Sequence, residues 1–111
     1  MIVLTNEKKK ELKEQYKKLY ITILDSDQPI VWRPIKRSEH KEILKETREL
    51  NTESEIMLAR QDATCLKCIV FPETEEEIKE ILEDNAGTSI VISDEIYRKS
   101  GFEIKKPTEE L

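Results

Sequence analysis

Residues 30–40 read IVWRPIKRSEH, and this stretch changes from a short hydrophobic alternation to a charged helix within a few positions. Trp32 is the only tryptophan of the chain, so its position marks the expected core. Pro34 closes the predicted strand, because proline cannot donate to a β-ladder and favours extended backbone at the residue before it. The stretch therefore predicts a structural junction between a strand and a helix. None of its residues is predicted to be catalytic.

A second apolar alternation lies just upstream of this junction. Residues 21–28 read ITILDSDQ, an alternating segment followed by turn-forming residues. Together with the strand before Pro34 they predict a β-hairpin, in which Ile21 and Ile23 face the core together with Ile30 and Trp32. Because an isolated hairpin is marginally stable in water, we expect helices to cover it.

The other elements are predicted from capping residues and from apolar side chains at helical spacing. The predicted helices span residues 6–19 with Asn6 as the cap, 38–50 with Ser38 as the cap, 53–71 after a capping-box pattern at Thr52, and a shorter stretch from Thr74 that stops at Gly87. Pro72 ends the third of these helices. The last segment is predicted to be helical over at least 93–100, while 88–92 stays open between strand and helix.

Length and composition are those of one small domain. The chain has 111 residues, of which 39% are charged, and its two glycines are too few for the turns of an all-β sandwich. The elements predict a mostly helical α+β domain over residues 1–104, with one N-terminal β-hairpin packed by four to five helices. Residues 105–111 are expected to form a loose C-terminal tail.

The charge distribution restricts the class of partner. A net charge of −5 disfavours nucleic acid. Residues 6–20 contain six lysines and three glutamates, whereas residues 73–84 contain seven acids and one lysine. Solvated helix faces explain both runs, and docking onto a complementary partner is the alternative. No apolar run approaches the roughly 20 residues of a membrane-spanning helix, so we expect a soluble protein made in a cytoplasm.

The spacing of Cys65 and Cys68 is the one pattern that could hold a metal or a redox pair. A structural zinc needs four ligands, and the only other soft ligand in the chain is His40. A redox pair would open a helix after a strand, whereas these cysteines lie inside a predicted helix, on or beside an apolar stripe with Leu58 and Ile69. We therefore expect two small core residues, with no metal and no cofactor.

No catalytic residue is predicted. His40 lies beside Glu39 and Glu42, but no nucleophile is placed to use it, so we expect a solvated helix residue. The acidic run of residues 73–77 lacks the alternating pattern of a calcium loop, and the two glycines cannot form a phosphate loop. The chain is therefore expected to act by binding and not as an enzyme.

Arg33, Lys36 and Arg37 form a compact basic cluster where the predicted strand gives way to helix. Pairing with acids of the neighbouring helix is one interpretation of this cluster. A contact patch for a protein partner is the other, since arginine is a frequent anchor of interfaces. We predict these three residues as the partner-binding site, because side chains on a rigid corner lose little entropy on binding.

The order of several segments is informative in its own right. A lysine-rich helix precedes the hairpin YITI…IVWRP and the helix start KRSEHKEI, and then come the segments CLKCIVFPE and EIYRKSGF. Over residues 7–102 this series resembles the small tail-assembly and baseplate-associated proteins of tailed bacteriophages. The resemblance implies a chaperone-like, non-enzymatic role in building the tail, in the cytoplasm of the infected bacterium. The alternatives are a minor structural subunit of the virion tail and a small phage-encoded regulator of a host protein; the partner and any homo-oligomer stay open.

Overall fold

A computed structural model describes residues 1–102 and 108–111 of the chain. The elements in these residues are α1 (Asn6–Gln15), β1 (Tyr20–Ile23), β2 (Pro29–Trp32), α2 (Arg37–Thr47), α3 (Glu53–Cys68), β3 (Ile69–Phe71), α4 (Glu75–Asp84), α5 (Thr88–Tyr97) and a π-helical turn (Arg98–Phe102). The predicted α+β domain, mostly helical with an N-terminal hairpin, is confirmed. The predicted boundary after residue 104, and the start of the predicted tail, lie outside the described residues, while residues 108–111 are exposed and without regular structure.

The hairpin forms as predicted, but β1 turns its other side to the core. Tyr20 pairs with Trp32 in the antiparallel register, so Tyr20 and Thr22 lie on the inner face of the sheet, which carries the main core. Trp32 is buried, and its indole Nε1 donates to Thr22 Oγ1 at 2.9 Å. Ile21 and Ile23 lie on the opposite, outer face and are 51% and 57% exposed, so their predicted burial is wrong. The buried indole N–H requires an acceptor, and only the side of β1 that carries Thr22 supplies one.

A third strand replaces the end of the helix predicted over residues 53–71. α3 ends at Cys68, and the next three residues form β3, which pairs antiparallel with β2. The strand order is β1-β2-β3. The sequence IVF directly before Pro72 favours extended backbone, because β-branched and aromatic residues suit strands and the residue before a proline avoids the helical region.

A bulge between β2 and β3 lets one short strand serve both faces of the sheet. Val31 pairs with Phe71, but the next residue, Trp32, pairs with Ile69, so Val70 is left without an opposite residue. The extra residue shifts the alternation of β3 side chains between the two faces of the sheet by one position. As a result Ile69 packs into the core of the inner face, and Phe71 packs on the outer face.

The two faces of the sheet carry hydrophobic clusters of different size. Buried residues of the inner cluster are Ile30, Trp32, Ile35, Ile43, Cys65, Cys68, Ile69, Ile78, Ile92 and Ile96. They come from the sheet, the loop after β2, and helices α2 to α5. The outer cluster has three buried residues, Leu12, Val31 and Phe71, which pack with the N-terminal segment and α1. The domain therefore has one main core and a small second cluster under α1.

The first two helices begin at residues other than those predicted. α1 begins after Thr5, whose hydroxyl accepts a backbone N–H of the first turn, and not with Asn6 as the cap; it also ends at residue 15, before the predicted end at 19. α2 begins after Lys36, whose backbone N–H donates to the Glu39 carboxylate at 3.0 Å, so the predicted cap, Ser38, lies within the first turn. This cap is provided by the side chain of Glu39, the third residue of the helix, and the prediction considered only Ser38 as the cap.

The later helix boundaries agree better with the sequence. Thr52 caps α3, and Thr74 caps α4 through the predicted capping box with Glu77. Residues 88–92, which stayed open between strand and helix, are the first half of α5. Gly101 has a φ of 93°, which glycine adopts without strain, and it lies in the turn that ends this last helical segment.

Candidate functional site

The three residues of the predicted basic cluster have two different environments in the structure. Arg33 is partly buried and hydrogen-bonded within the domain. Its Nη1 and Nη2 donate to the two carboxylate oxygens of Glu39 at 2.8 and 2.7 Å. Nη2 also donates to the backbone carbonyl of Lys67 at 2.9 Å, and Nη1 to that of Pro34 at 3.1 Å. The guanidinium thus ties the end of β2 to the start of α2 and the end of α3. Of the two interpretations of the basic cluster, pairing with an acid of the neighbouring helix is the one that describes Arg33.

The electrostatics of this pair are those of a structural bond. The hydrogen bonds from Arg33 lower the pKa of Glu39 to about 2, although partial burial of the carboxylate opposes this shift. The same contact raises the pKa of Arg33. The backbone N–H of Lys36 also donates to Glu39 and favours the ionised carboxylate. Charge-assisted, two-pronged bonds of this kind fix the direction of both side chains.

Lys36 and Arg37, in contrast, are exposed and face solvent. They line a shallow pocket of about 330 Å³ together with His40 and Phe102. Neither makes an ion pair with a carboxylate in the part of the chain that the structure describes. These two residues are the part of the predicted cluster that is free to contact a partner.

A larger groove of about 890 Å³ continues from this pocket, between α2, α3 and α5. The side chains that line it are His40, Leu44, Glu53, Ile56, Met57, Arg60, Gln61, Ile90, Val91, Ser93, Asp94, Glu95, Tyr97 and Phe102. His40 and Phe102 line both the pocket and the groove, so the two form one continuous surface. We call this surface, with Lys36 and Arg37, the α2/α3/α5 groove.

Four exposed apolar side chains lie together in this groove. Met57, Ile90, Val91 and Phe102 are each more than half exposed, and all four line it. Contiguous apolar surface of this kind marks interaction sites on soluble proteins. The sequence analysis did not predict the groove. The available signal was the apolar run of residues 90–92, because a run without helical periodicity cannot be buried on one side of a helix.

One end of the groove is held by a hydrogen-bonded network. Thr64 Oγ1 donates to the carbonyl of Arg60 at 2.7 Å, so the Tyr97 hydroxyl, at 3.0 Å from Thr64 Oγ1, is the donor in that contact. Tyr97 OH is then left to accept from Nδ1 of His40 at 3.2 Å. The His40 ring also packs edge-on against Tyr97 and Phe102. The prediction of a solvated His40 is therefore wrong, and the residue is part of a fixed wall.

Contacts between α2 and α3 establish the direction of the groove. Lys67 Nζ lies 3.3 Å from a Glu42 oxygen, near the start of α2 and the end of α3. Arg60 Nε donates to Thr47 Oγ1 at 3.0 Å, near the end of α2. The two helices are thus antiparallel. Glu53, the first residue of α3, lies at the end of the groove that is distant from the start of α2.

Charged side chains of both signs line the groove, among them Arg60 and Glu95. Lys36 and Arg37 lie at the end next to His40, while Glu53 lies at the other end. Asp94 adds an acidic side chain on the α5 wall. Charged groups at the border of an apolar surface contribute to the choice of partner through charge complementarity.

Cys65 and Cys68 lie in the core, as predicted. Both are fully buried, and burial raises the pKa of each thiol to about 12. Cys65 Sγ contacts the backbone carbonyl of Ser89 at 3.7 Å, so this thiol helps to pack α3 against α5. Among the described residues, no group of three or more His, Cys, Asp and Glu side chains is arranged to hold a metal ion.

Comparison with known proteins adds no assignment to this geometry: no protein-family model, curated protein or solved structure matches the chain. Across the described residues, none of the helices has both the length and the apolar composition needed to cross a membrane.

Proposed function

We propose that the chain is a non-enzymatic assembly protein, which binds a tail or baseplate protein of a tailed bacteriophage in the α2/α3/α5 groove. The observation that carries this proposal is the gathering of Met57, Ile90, Val91 and Phe102, all largely exposed, in one groove. Removing these side chains from water would supply the main driving force for association. The resemblance of residues 7–102 to small tail-assembly proteins supplies the class of partner.

The shape of the groove suits an amphipathic helix. Side chains of α2, α3 and α5 line it, so a largely apolar surface lies between helices. Helices commonly dock in such grooves through apolar side chains three and four positions apart. An acidic side chain of such a helix near Lys36 and Arg37 would match the two cations at this end of the groove.

The basic cluster takes two roles in this proposal. Lys36 and Arg37 contact the partner, because their side chains are exposed at the end of the groove. Arg33 is a positioning residue, since its guanidinium bonds hold the start of α2, which carries the other two residues. A contribution from Arg33 to binding is then indirect, through the placement of α2.

A binding role fits the groove better than catalysis does. The chain has two thiols, and both are buried in the core, where they cannot act on a molecule in the groove. His40 bonds to Tyr97 and packs against two aromatic rings, which suits a structural role for its imidazole. Apolar contact is the main chemistry that the groove offers.

The proposal is tested by site-specific photo-crosslinking in bacteria infected by a phage that encodes the chain. A photoreactive amino acid replaces Met57, in the groove, or Leu58, the next residue of α3, which is also exposed but does not line the groove. We expect tail or baseplate proteins to be crosslinked from position 57 and not from position 58. Equal crosslinking from both positions would reject the groove as the binding site.

The same experiment separates the alternative functions. Crosslinks to tail proteins that occur in lysates but not in purified virions support an assembly chaperone. Crosslinked adducts that persist in purified virions indicate a minor structural subunit. A host protein crosslinked from position 57, with no tail protein, would replace the proposal by a host-directed regulator.

A further inference from the structure

Strand β1 lies at one edge of the sheet, and part of its backbone is unpaired there. The backbone N–H of Leu24 donates to the carbonyl of Gln28 at 3.0 Å, so this pair is hydrogen-bonded. Antiparallel strands alternate hydrogen-bonded and non-hydrogen-bonded pairs, which places Ile23 and Ile21 in the non-hydrogen-bonded positions. Pro29, opposite Ile23, agrees with this because it has no N–H. The N–H and C=O groups of Ile21 and Ile23 therefore point away from β2, toward the free edge.

No other segment of the described chain occupies this edge. The side chain of Gln28 holds the N-terminal segment at the turn end of the hairpin: it accepts from the N–H of Ile2 at 2.8 Å and donates to its carbonyl at 3.0 Å. The side chains of Ile21 and Ile23 are largely exposed on the outer face. An exposed edge with unpaired backbone groups is a template for another strand.

A small apolar pocket lies beside the free edge. Its volume is about 230 Å³, and its apolar lining includes Leu4, Leu12, Leu19, Ile21 and Val31. A strand added to β1 would direct every second side chain to the outer face of the sheet, where this pocket lies. The volume suits one large apolar side chain.

Two lysines at the rim of the pocket indicate the charge of the ligand. Lys9 and Lys13 line the pocket and lie one helical turn apart on α1. Neighbouring Lys8 is already paired, with Glu11 and with Glu73. Lys9 and Lys13 have no carboxylate partner among the described residues, so acidic groups beside the apolar side chain would find two ammonium groups within reach.

We propose that β1 is a second docking site, separate from the α2/α3/α5 groove, which binds an extended acidic peptide segment of a partner protein by strand addition. The segment pairs with the backbone of Ile21 and Ile23, places one large apolar side chain in the pocket, and brings its carboxylates to Lys9 and Lys13. A second copy of the chain fits this edge less well, because pairing β1 with β1 would bring two lysine-bearing rims to one interface.

The test uses a fluorescein-labelled peptide with a central leucine, valine and threonine on either side, and glutamate and aspartate at both ends. Fluorescence anisotropy should show saturable binding to the full chain. Ile21→Pro should weaken binding roughly tenfold, since proline removes an outward N–H that a docked strand needs. Ile21→Thr retains that N–H and should weaken binding less. Near-ultraviolet circular dichroism of Trp32 reports whether each variant is folded.

A modified peptide keeps the test independent of how the variants fold. Methylating alternate backbone amides of the peptide blocks one edge of its strand, while methylating the other set blocks the opposite edge. One set should abolish binding to the unaltered chain and the other should leave it nearly unchanged. If both methylated peptides bind as tightly as the unmodified one, strand addition is wrong.

Charge variants test the acidic character of the ligand. The double change Lys9→Glu with Lys13→Glu should abolish peptide binding, whereas the matched change Lys10→Glu with Lys17→Glu, at exposed lysines outside the pocket, should reduce it only modestly. Equal loss in both would indicate general charge attraction and overturn the site. Sedimentation that detects a dimer which Ile21→Pro dissociates, with no peptide binding, would assign the edge to self-association and also overturn the proposal.

A groove variant separates this site from the proposed function. Met57→Glu disrupts the groove and should leave peptide affinity for β1 unchanged. If no tail protein is crosslinked from position 57 but the peptide still binds, the groove proposal fails and the β1 proposal stands. A peptide affinity that depends on Met57 would show that the peptide binds the groove and not β1.

Discussion

Helices α2 to α5 and helix α1 cover opposite faces of the same three-stranded sheet, and they do so in different ways. Among the described residues, a core of ten buried side chains, which includes Trp32, seals the inner face. The outer face has three buried residues under a helix of mostly lysine and glutamate, and Ile21 and Ile23 stay largely exposed beside it. The main core thus closes one face of the sheet, whereas a strand edge and a pocket stay accessible beside the other.

Polar contacts follow the same division. On the inner side, Arg33 donates to a carboxylate and to two backbone carbonyls, and these bonds join β2, α2 and α3. On the outer side, α1 is linked to the loop after β3 by the ion pair of Lys8 with Glu73, whose carboxylate is largely exposed. Exposed ion pairs contribute little to stability, whereas partly buried, two-pronged ones contribute more.

The largest expected effect comes from truncating the core on each face. Trp32→Ala should lower the free energy of unfolding by about 3–5 kcal/mol, because it leaves a cavity and an unpaired Thr22 hydroxyl. Leu12→Ala should cost about 2–3 kcal/mol, since the outer cluster borders a pocket and can relax. Urea unfolding, followed by circular dichroism, measures both. Equal losses would show that the two faces contribute alike and would contradict the comparison.

A smaller effect is expected at the basic cluster, where it separates a structural residue from a surface residue. Arg33→Ala should destabilise the fold by about 2 kcal/mol, because the partly buried Glu39 carboxylate keeps only the bond from the Lys36 N–H and two carbonyls lose the guanidinium as donor. Arg37→Ala, the matched control, should change stability by no more than about 0.5 kcal/mol. Thermal unfolding of the two variants at neutral pH measures the difference. If Arg33→Ala is as stable as the unaltered chain, Arg33 is not a structural residue and is again a candidate for partner contact.

The smallest expected effect is a pH dependence of the stability, caused by the Glu39 carboxylate that pairs with Arg33. Folding lowers the pKa of Glu39 from 4.5 to about 2, so the unfolded chain binds more protons than the folded one in this range. The stability that Glu39 contributes is therefore fully present above pH 4.5 and is lost as the pH falls toward 2. We expect Glu39→Gln to be less stable than the unaltered chain at neutral pH, with the gap narrowing below pH 4.5. Urea midpoints measured across this range test it, and a gap that stays constant would show that the carboxylate charge is not what stabilises the fold.

Much of the fold was predictable because it depends on local signals. Capping residues such as Thr52 and Thr74 and the turn-forming DSDQ of the hairpin act over a few positions, and each produced the predicted element. Burial of Trp32 and of both cysteines was also predictable, because large or soft apolar side chains in periodic segments are seldom left in water.

Other features depend on partners that are distant in sequence. The sequence before Pro72 favours extended backbone over residues 69–71, but the partner that makes this segment a strand is β2, which is distant in sequence. The choice between the two sides of β1 was made by the indole of Trp32, which needs the hydroxyl of Thr22, ten residues away. Both sides of β1 carry apolar side chains, so the alternation by itself could not tell them apart.

The candidate sites divide along the same line. The sequence by itself determined that Arg33, Lys36 and Arg37 lie together at a strand-to-helix junction, because they are close along the chain. Three other features became visible only in the packed structure: the pairing of Arg33 with Glu39, the apolar groove between α2, α3 and α5, and the free edge of β1. The physical reason is that periodicity and capping are local properties of the chain, whereas a surface available for binding is what remains after distant segments have packed.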